Sequence, residues 1–309
     1  MIHRRNVLTS ILAVAFVGGA AAQTPAPRIP VTASFSIVAD LVREVGGDRI
    51  EVSALVGPGQ DAHVYQPTPA DARTISQAKG IFINGLHFEE FMGRLIKTAG
   101  AKAPVFRAAA GFEPLKASGK HSHGDHKGHS HGDFAPDPHA WHSVPNVKAY
   151  VGNISKGLAQ IDPDGATVYA QRAAAYIEKL DALDREIRAA VEDIPKERRI
   201  AVTTHDAFAY LAREYGIQFV TLQGVSTDTE ISAAGLGKTI REVKARKAPA
   251  VFIENITDPR KIERLSKETG AKLGGTLYSD ALSKADGPAP TYIELMRHNI
   301  RQLKQALAP

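Results

Sequence analysis

The sequence predicts an α/β protein of two lobes, each a parallel sheet flanked by helices, joined by one long linking helix. Three observations carry this. Short apolar runs alternate with helical stretches through the first third of the chain, as expected for a parallel sheet covered on both faces. The same alternation restarts after residue 195. Between the two sets lies a helical stretch of roughly thirty residues, about 45 Å at 1.5 Å per residue, far longer than one crossover between strands requires.

In chain order, 31–36 reads as a strand, and a helix through Ala39, Leu41, Val42 and Val45 stops at Gly46-Gly47. A strand over 50–56 ends in Gly57-Pro58-Gly59, and Thr68-Pro69-Ala70-Asp71 opens a helix, the capping residue preceding a proline at the first helical position. A strand over 80–85, a helix over 88–98 and a strand over 104–107 complete the first set. A helical stretch follows Trp141, and Asp162-Pro163-Asp164 starts the long helix, which reaches about 191. Its apolar positions, Tyr169, Ala173, Tyr176, Leu180, Leu183, Ile187 and Ala190, fall at alternating steps of four and three and make one continuous stripe. After Pro195 come strands over 199–204, 217–222 and 250–254, a last strand reaching 278, and helices over 206–215, 232–246, 258–269 and 291–307.

The N-terminus stands outside this pattern. Arg4 and Arg5 precede an apolar run over 7–17 and a small-residue stretch ending Ala20-Ala21-Ala22, which reads as a secretory signal peptide cleaved before Gln23. The paired arginines loosely resemble a twin-arginine signal, but a basic leader needs no such explanation, and general secretion is favoured. No cysteine occurs in the chain, so there is no thiol for a lipid anchor, no disulfide framework and no thiolate for a metal. The segmentation is a signal at 1–22, an N-terminal lobe at 23–160 with a histidine-rich loop at 116–135, the linking helix at 161–194 and a C-terminal lobe at 195–309.

The formal net charge is +5; without the leader, 36 Lys and Arg face 33 Asp and Glu, a net +3. These charges alternate along the helices and aromatics are sparse, so nucleic-acid binding is excluded as a function class. Chemistry concentrates in histidine. His121, His123, His126, His129 and His131 lie among Gly, Ser, Lys and Asp, a solvated tract suited to borderline-soft divalent metals and expected to assist capture of an ion.

Ligands of open parallel sheets bind beyond the carboxyl ends of the strands. His63 follows the second strand, His139 lies in the connection to the second half, His205 follows the strand over 199–204, and Asp280 follows the last strand. Two come from each half, so the lobes can close a site between them. Three imidazoles and a carboxylate suit tetrahedral Zn²⁺. His87, which also follows a strand, and His142 remain rival ligands. Glu89 and Glu254 are candidate hydrogen-bond partners of ligands or ordinary salt-bridge residues. His298 reads as a surface residue of the last helix.

Four motifs, Asp61-Ala62-His63-Val64-Tyr65-Gln66-Pro67-Thr68-Pro69, Asp137-Pro138-His139-Ala140-Trp141, Thr204-His205-Asp206-Ala207-Phe208 and Leu277-Tyr278-Ser279-Asp280-Ala281-Leu282, together resemble those of zinc and manganese ABC-transporter solute-binding proteins, the cluster A-I proteins that include the ZnuA and AztC types. The resemblance spans essentially the whole chain after the leader. It implies a periplasmic protein that holds metal in the cleft through His63, His139, His205 and Asp280 and passes it to a permease in the inner membrane; a monomer is expected. A periplasmic zinc chaperone is a further candidate partner. Manganese members of that family typically carry a carboxylate where this chain has His205, so the resemblance favours zinc. Two features depart from the pattern: many relatives have Asp-Pro-His where this chain has Asp61-Ala62-His63, and the histidine loop is shorter than in many ZnuA-type members. A periplasmic zinc buffer is the nearest alternative function. A zinc hydrolase is weaker, since it needs an open coordination position and a general base, and no His-Glu-x-x-His motif occurs.

Overall fold

A computed structural model describes residues 27–117 and 135–309. The leader at 1–22 and the histidine tract from His121 to His131 lie outside the described residues.

The first half builds a four-stranded parallel sheet from β1 (Ile29–Phe35), β2 (Ile50–Val56), β3 (Gly80–Ile83) and β4 (Val105–Arg107), in the order β2-β1-β3-β4. Its helices are α1 (Ser36–Gly46), α2 (Pro69–Gln77), α3 (Glu90–Thr98) and α4 (Val144–Ile161). The helix after Thr68 begins as its sequence requires: Thr68 Oγ1 accepts from Asp71 N, while Asp71 Oδ2 accepts from Thr68 N, closing a reciprocal cap. α1 has buried side chains on almost every face, including Ile37, Val38, Leu41, Val42 and Val45, because the sheet, α4 and the linking helix enclose it.

The second half repeats the plan with β5 (Ile200–Thr203), β6 (Gln218–Thr221), β7 (Ala250–Glu254) and β8 (Lys272–Leu277), in the order β6-β5-β7-β8. Between the halves runs α5 (Ala166–Glu192), and the second half carries α6 (Ala209–Tyr215), α7 (Ala233–Ala245), α8 (Pro259–Thr269) and α9 (Tyr292–Leu307). Its α6 stops at Gly216, whose φ of 74° is the left-handed conformation that ends a helix most readily without a Cβ.

The 27 residues of α5 span about 40 Å. The stripe from Tyr169 to Ile187 is buried as its spacing requires; at the C-terminal end Val191, four residues on from Ile187, takes the fully buried position and Ala190 only flanks it. The helix starts later than Asp162 because Pro163–Gly165 forms a 3₁₀ turn. Asp162 stays outside it, accepting two bonds from Arg49 at 2.7 and 2.9 Å and one from Tyr169 Oη at 2.6 Å. The α5 stripe packs on α1 and α4 at one end and on α6 and α9 at the other.

The chain crosses between the halves once, yet the lobes are held by more than that helix. One continuous apolar core runs from Val31 and Phe35 through Trp141 and the α5 stripe to Phe208, Phe252 and Tyr292, while a smaller cluster around Val202, Val251 and Ile262 covers the far face of the second sheet. Trp141 Nε1 donates to Ser279 O at 3.0 Å, Tyr292 Oη donates to Trp141 O at 2.8 Å, and Asp40 of α1 accepts from Tyr292 N at 2.8 Å. Among the described residues, no helix is long and apolar enough to cross a membrane.

Candidate metal centre

The carboxyl ends of the two sheets face each other, and the loops leaving them converge. Ligand atoms of His63, His139, His205 and Asp280 all lie within 4.8 Å of one another, the one such cluster among the described residues. Each is positioned by the loop that carries it. His63 sits in the β2–α2 loop, where its backbone N–H donates to Asp61 Oδ1 at 2.9 Å. His139 is held the same way, donating from its backbone to Asp137 Oδ1 at 2.9 Å. His205 follows β5 directly, and Asp280 follows β8. The Asp280 loop is fixed by two asparagines: Asn255 Oδ1 accepts from Ser279 N at 3.1 Å, and Asn299 Oδ1 accepts from Tyr278 N at 2.8 Å.

The spacing of the four groups fits a small tetrahedral ion. Bonds of about 2.0–2.1 Å from a central ion place the corners of a tetrahedron about 3.3–3.4 Å apart. Here His63 Nε2 lies 3.4 Å from His139 Nε2 and 3.2 Å from Asp280 Oδ2, and His205 Nε2 lies 3.1 Å from the same oxygen. Asp280 Oδ1 is buried without a hydrogen-bond partner among the described residues, 3.7 Å from His139 Nε2. Phe88 and Trp141 wall this cluster, Phe88 lying 4.9 Å from His63 and Trp141 5.3 Å from His139 between ring centres, which excludes water from one side. The four protein atoms are enough to fill a four-coordinate shell.

Two carboxylates stand behind the imidazoles. Asp137 Oδ1 lies 2.8 Å from His139 Nδ1, and Glu254 Oε2 lies directly against His205 Nδ1. Glu254 is placed by its other oxygen, which accepts from Thr204 N at 2.6 Å and His205 N at 2.8 Å. With Nδ1–H directed at a carboxylate, each ring presents Nε2 to the cleft as the free donor. Burial opposes protonation of His139, but the charges of Asp280 and Asp137 outweigh it and push its pKa up to about 9. The same contest at His205, against Glu254 and Asp280, holds its pKa well above the ordinary histidine value. Burial would raise Asp280, yet His205 and His139 hold it well below the carboxylate range.

The remaining candidates separate clearly. His87 is exposed in a left-handed turn, φ 62°, outside the cluster. His142 is fully buried, but its ring packs 4.6 Å from Phe208, neither nitrogen has a hydrogen-bond partner among the described residues, and burial lowers its pKa to about 3. Among the described residues Glu89 neither touches an imidazole nor forms a salt bridge: buried, it accepts from Ser34 Oγ at 2.5 Å and from Asn84 N at 2.6 Å, bracing the end of β3. His298 is not a surface residue; half-buried under Tyr278, it pairs a ring nitrogen with Thr276 O at 2.9 Å, since the last helix lies flat on β8. Sequence reasoning missed the work of Asp137 and Asp61. The signal was available, because Asp-x-His occurs at both 61–63 and 137–139, a spacing that lets the carboxylate cap the histidine backbone. The stem of the histidine tract is also visible: Lys116 pairs with Pro136 in an antiparallel bridge, and Asp137 N donates to Leu115 O at 2.8 Å.

The model of the family "Zinc-uptake complex component A periplasmic" matches residues 31–306. The iron-binding protein YfeA of Yersinia pestis is 34% identical over 275 residues, covering 89% of this chain and 85% of that protein. A manganese-bound periplasmic metal-binding protein from Candidatus Liberibacter asiaticus superposes with a TM-score of 0.78 at 32% identity, covering 91% of this chain and 100% of that one. The periplasmic zinc-binding protein TroA from Treponema pallidum superposes with a TM-score of 0.83 at 30% identity, covering 92% and 100%. With these matches running the length of both lobes, the chain belongs to the ZnuA family of metal-binding substrate-binding proteins of ABC importers, which carry solute and are not enzymes.

Proposed function

We propose that this chain captures Zn²⁺ in the periplasm, holds it between its lobes through His63, His139, His205 and Asp280, and delivers it to a cognate permease in the inner membrane. The observation that carries the choice of ion is the imidazole of His205 at the third corner. Relatives are named for iron, manganese and zinc, so the family alone does not select. Three nitrogens and one oxygen favour zinc over manganese, which takes oxygen-rich shells of higher coordination. Burial of the His139, His205 and Asp280 side chains favours the same ion, since a closed site accommodates four ligands and no added waters. The periplasmic location is supported by the family description and by the signal read at 1–22. The histidine tract belongs to an auxiliary role, raising the local ion concentration, since ordering it around a metal costs conformational entropy that a preformed cleft avoids.

The test is competition between Zn²⁺ and Mn²⁺ for the wild-type protein and for His205→Glu. Wild type should prefer zinc, and His205→Glu should narrow that preference by at least about tenfold by replacing nitrogen with oxygen. Tighter binding of manganese than of zinc by the wild type overturns the reading.

A further inference from the structure

The four corners of the site are not equally held. His139 and His205 each have a carboxylate against Nδ1 and no side-chain exposure. His63 has neither feature: no carboxylate lies against its Nδ1 among the described residues, and its side chain keeps 7% exposure, the one member of the cluster open to solvent. Beside it Val64 is 48% exposed, so the outer side of this loop is already in water. The two Asp-x-His segments begin alike and then diverge. Asp137 turns its carboxylate onto its own histidine ring. Asp61 instead uses Oδ1 for the backbone of His63 and directs Oδ2 across the cleft, where Thr227 Oγ1 donates to it at 2.6 Å.

We infer that the Thr227–Asp61 hydrogen bond is a clasp between the lobes that sets how fast a bound ion leaves, with Thr227 a positioning residue acting through Asp61 on His63. The inference rests on the reading that His63, His139, His205 and Asp280 hold the ion. Thr227 lies between β6 and α7, in a loop of the second lobe that is tied back on itself by Gln223 Nε2 donating to Thr229 O. The His63 loop has a second tie to that lobe at its base, where Gly59 N donates to Leu282 O at 2.9 Å. With the base pinned through the main chain, the side-chain bond at Asp61, two residues before His63, decides whether the ring can swing outward. His139 and His205 are braced within buried surroundings and have no comparable freedom. Loss of the ion therefore begins at His63, on the solvent side of the site.

The full-length mature protein loaded with Zn²⁺ tests this by stopped-flow release into excess chromophoric chelator. Thr227→Val keeps the shape and removes the donor; it should release zinc about tenfold faster or more, as expected when a bond to a carboxylate is lost. Stoichiometry should stay at one ion per chain, and the metal-free protein should stay folded, its melting temperature falling by no more than about a few degrees, the cost of one hydrogen bond. Thr227→Ser restores the hydroxyl and should restore the wild-type rate, which a purely steric role for the side chain would not predict. A Thr227→Val protein that releases zinc at the wild-type rate, or a Thr227→Ser protein as fast as Thr227→Val, overturns the clasp. If His205→Ala retains zinc as well as the wild type does, the four-residue site fails instead, and the two failures are read separately.

Discussion

Replacing Glu254 with glutamine isolates the tautomer of a single ligand. Glu254 is 1% exposed, and one of its oxygens accepts the backbone N–H groups of Thr204 and His205 at 2.6 and 2.8 Å. A glutamine can keep both bonds through its carbonyl oxygen, so the loop after β5 should hold its shape. The other oxygen, now facing His205 Nδ1, becomes an amide NH₂ and reverses the direction of donation. Nδ1 then accepts, the proton moves to Nε2, and Nε2 turns a hydrogen toward the cleft instead of a lone pair. To ligate a metal, the ring must take the opposite tautomer, setting its N–H against the amide NH₂ with both donors buried and unpaired. One mispaired buried donor costs about 1–3 kcal/mol. At 1.4 kcal/mol per decade, that is roughly a five- to 150-fold loss of affinity, in line with the 10–100-fold cost of removing a group that orients a metal ligand. Competition against a chromophoric chelator gives the Kd, and thermal melting of the metal-free protein checks the fold. In a His205→Ala background the Glu254→Gln penalty should vanish, because the effect passes entirely through that ring. A Glu254→Gln Kd within about twofold of wild type, or an undiminished penalty without His205, refutes the argument.

Protons compete with the ion more strongly than free histidine would suggest. With the His139 pKa near 9 and His205 also raised, affinity should climb through the neutral range up to about pH 9, by up to about one decade per pH unit for each proton displaced; a Kd that is flat between about pH 6 and pH 8 contradicts this. Asp40 offers a separate pH effect on stability. Burial, opposed by the Tyr292 N–H and reinforced by Glu44, raises its pKa to about 7, so its stabilising protonated form is complete below its unfolded value of 3.8 and is lost as pH rises through about 7. Asp40→Asn, which still accepts from Tyr292, should flatten that decline in denaturant unfolding; an unchanged profile places the effect elsewhere. Deleting 121–131 should leave one tight site per chain by chelator titration and slow loading when zinc is scarce, whereas loss of the tight site makes the tract a primary ligand.

Much of this fold was legible because its signals are local. Gly-terminated apolar runs marked β2 and α1, the Thr68-Pro69 pair fixed the start of α2, and the four-three spacing from Tyr169 to Ile187 traced the buried side of α5. Metal-competent residues at strand ends picked out His63, His139, His205 and Asp280, which the fold gathers within 4.8 Å. What escaped depends on partners distant in sequence. Glu254 was legible as a candidate partner of some ligand but not as the partner of His205, 49 residues away, and Thr227 meets Asp61 from 166 away. Nothing in the residues around either one announces the pairing. His87 and His142 illustrate the complementary limit, since strand-end position and proximity to His139 made them candidates while chain direction turns one outward and packs the other under Phe208. His298 looked superficial because it lies on the terminal helix, yet the surface beneath it is β8, whose Thr276 carbonyl the ring meets.

The central claim is that four side chains from two lobes hold one transported ion. A crystal structure of the zinc-loaded protein, with anomalous data collected at the zinc edge, tests it directly. The account predicts a single strong site bounded by Nε2 of His63, His139 and His205 and a carboxylate oxygen of Asp280, with Zn–N near about 2.0–2.1 Å and no bound water. An ion held instead by His87, by His142 or by the 121–131 tract, with the four-residue cluster empty, contradicts it.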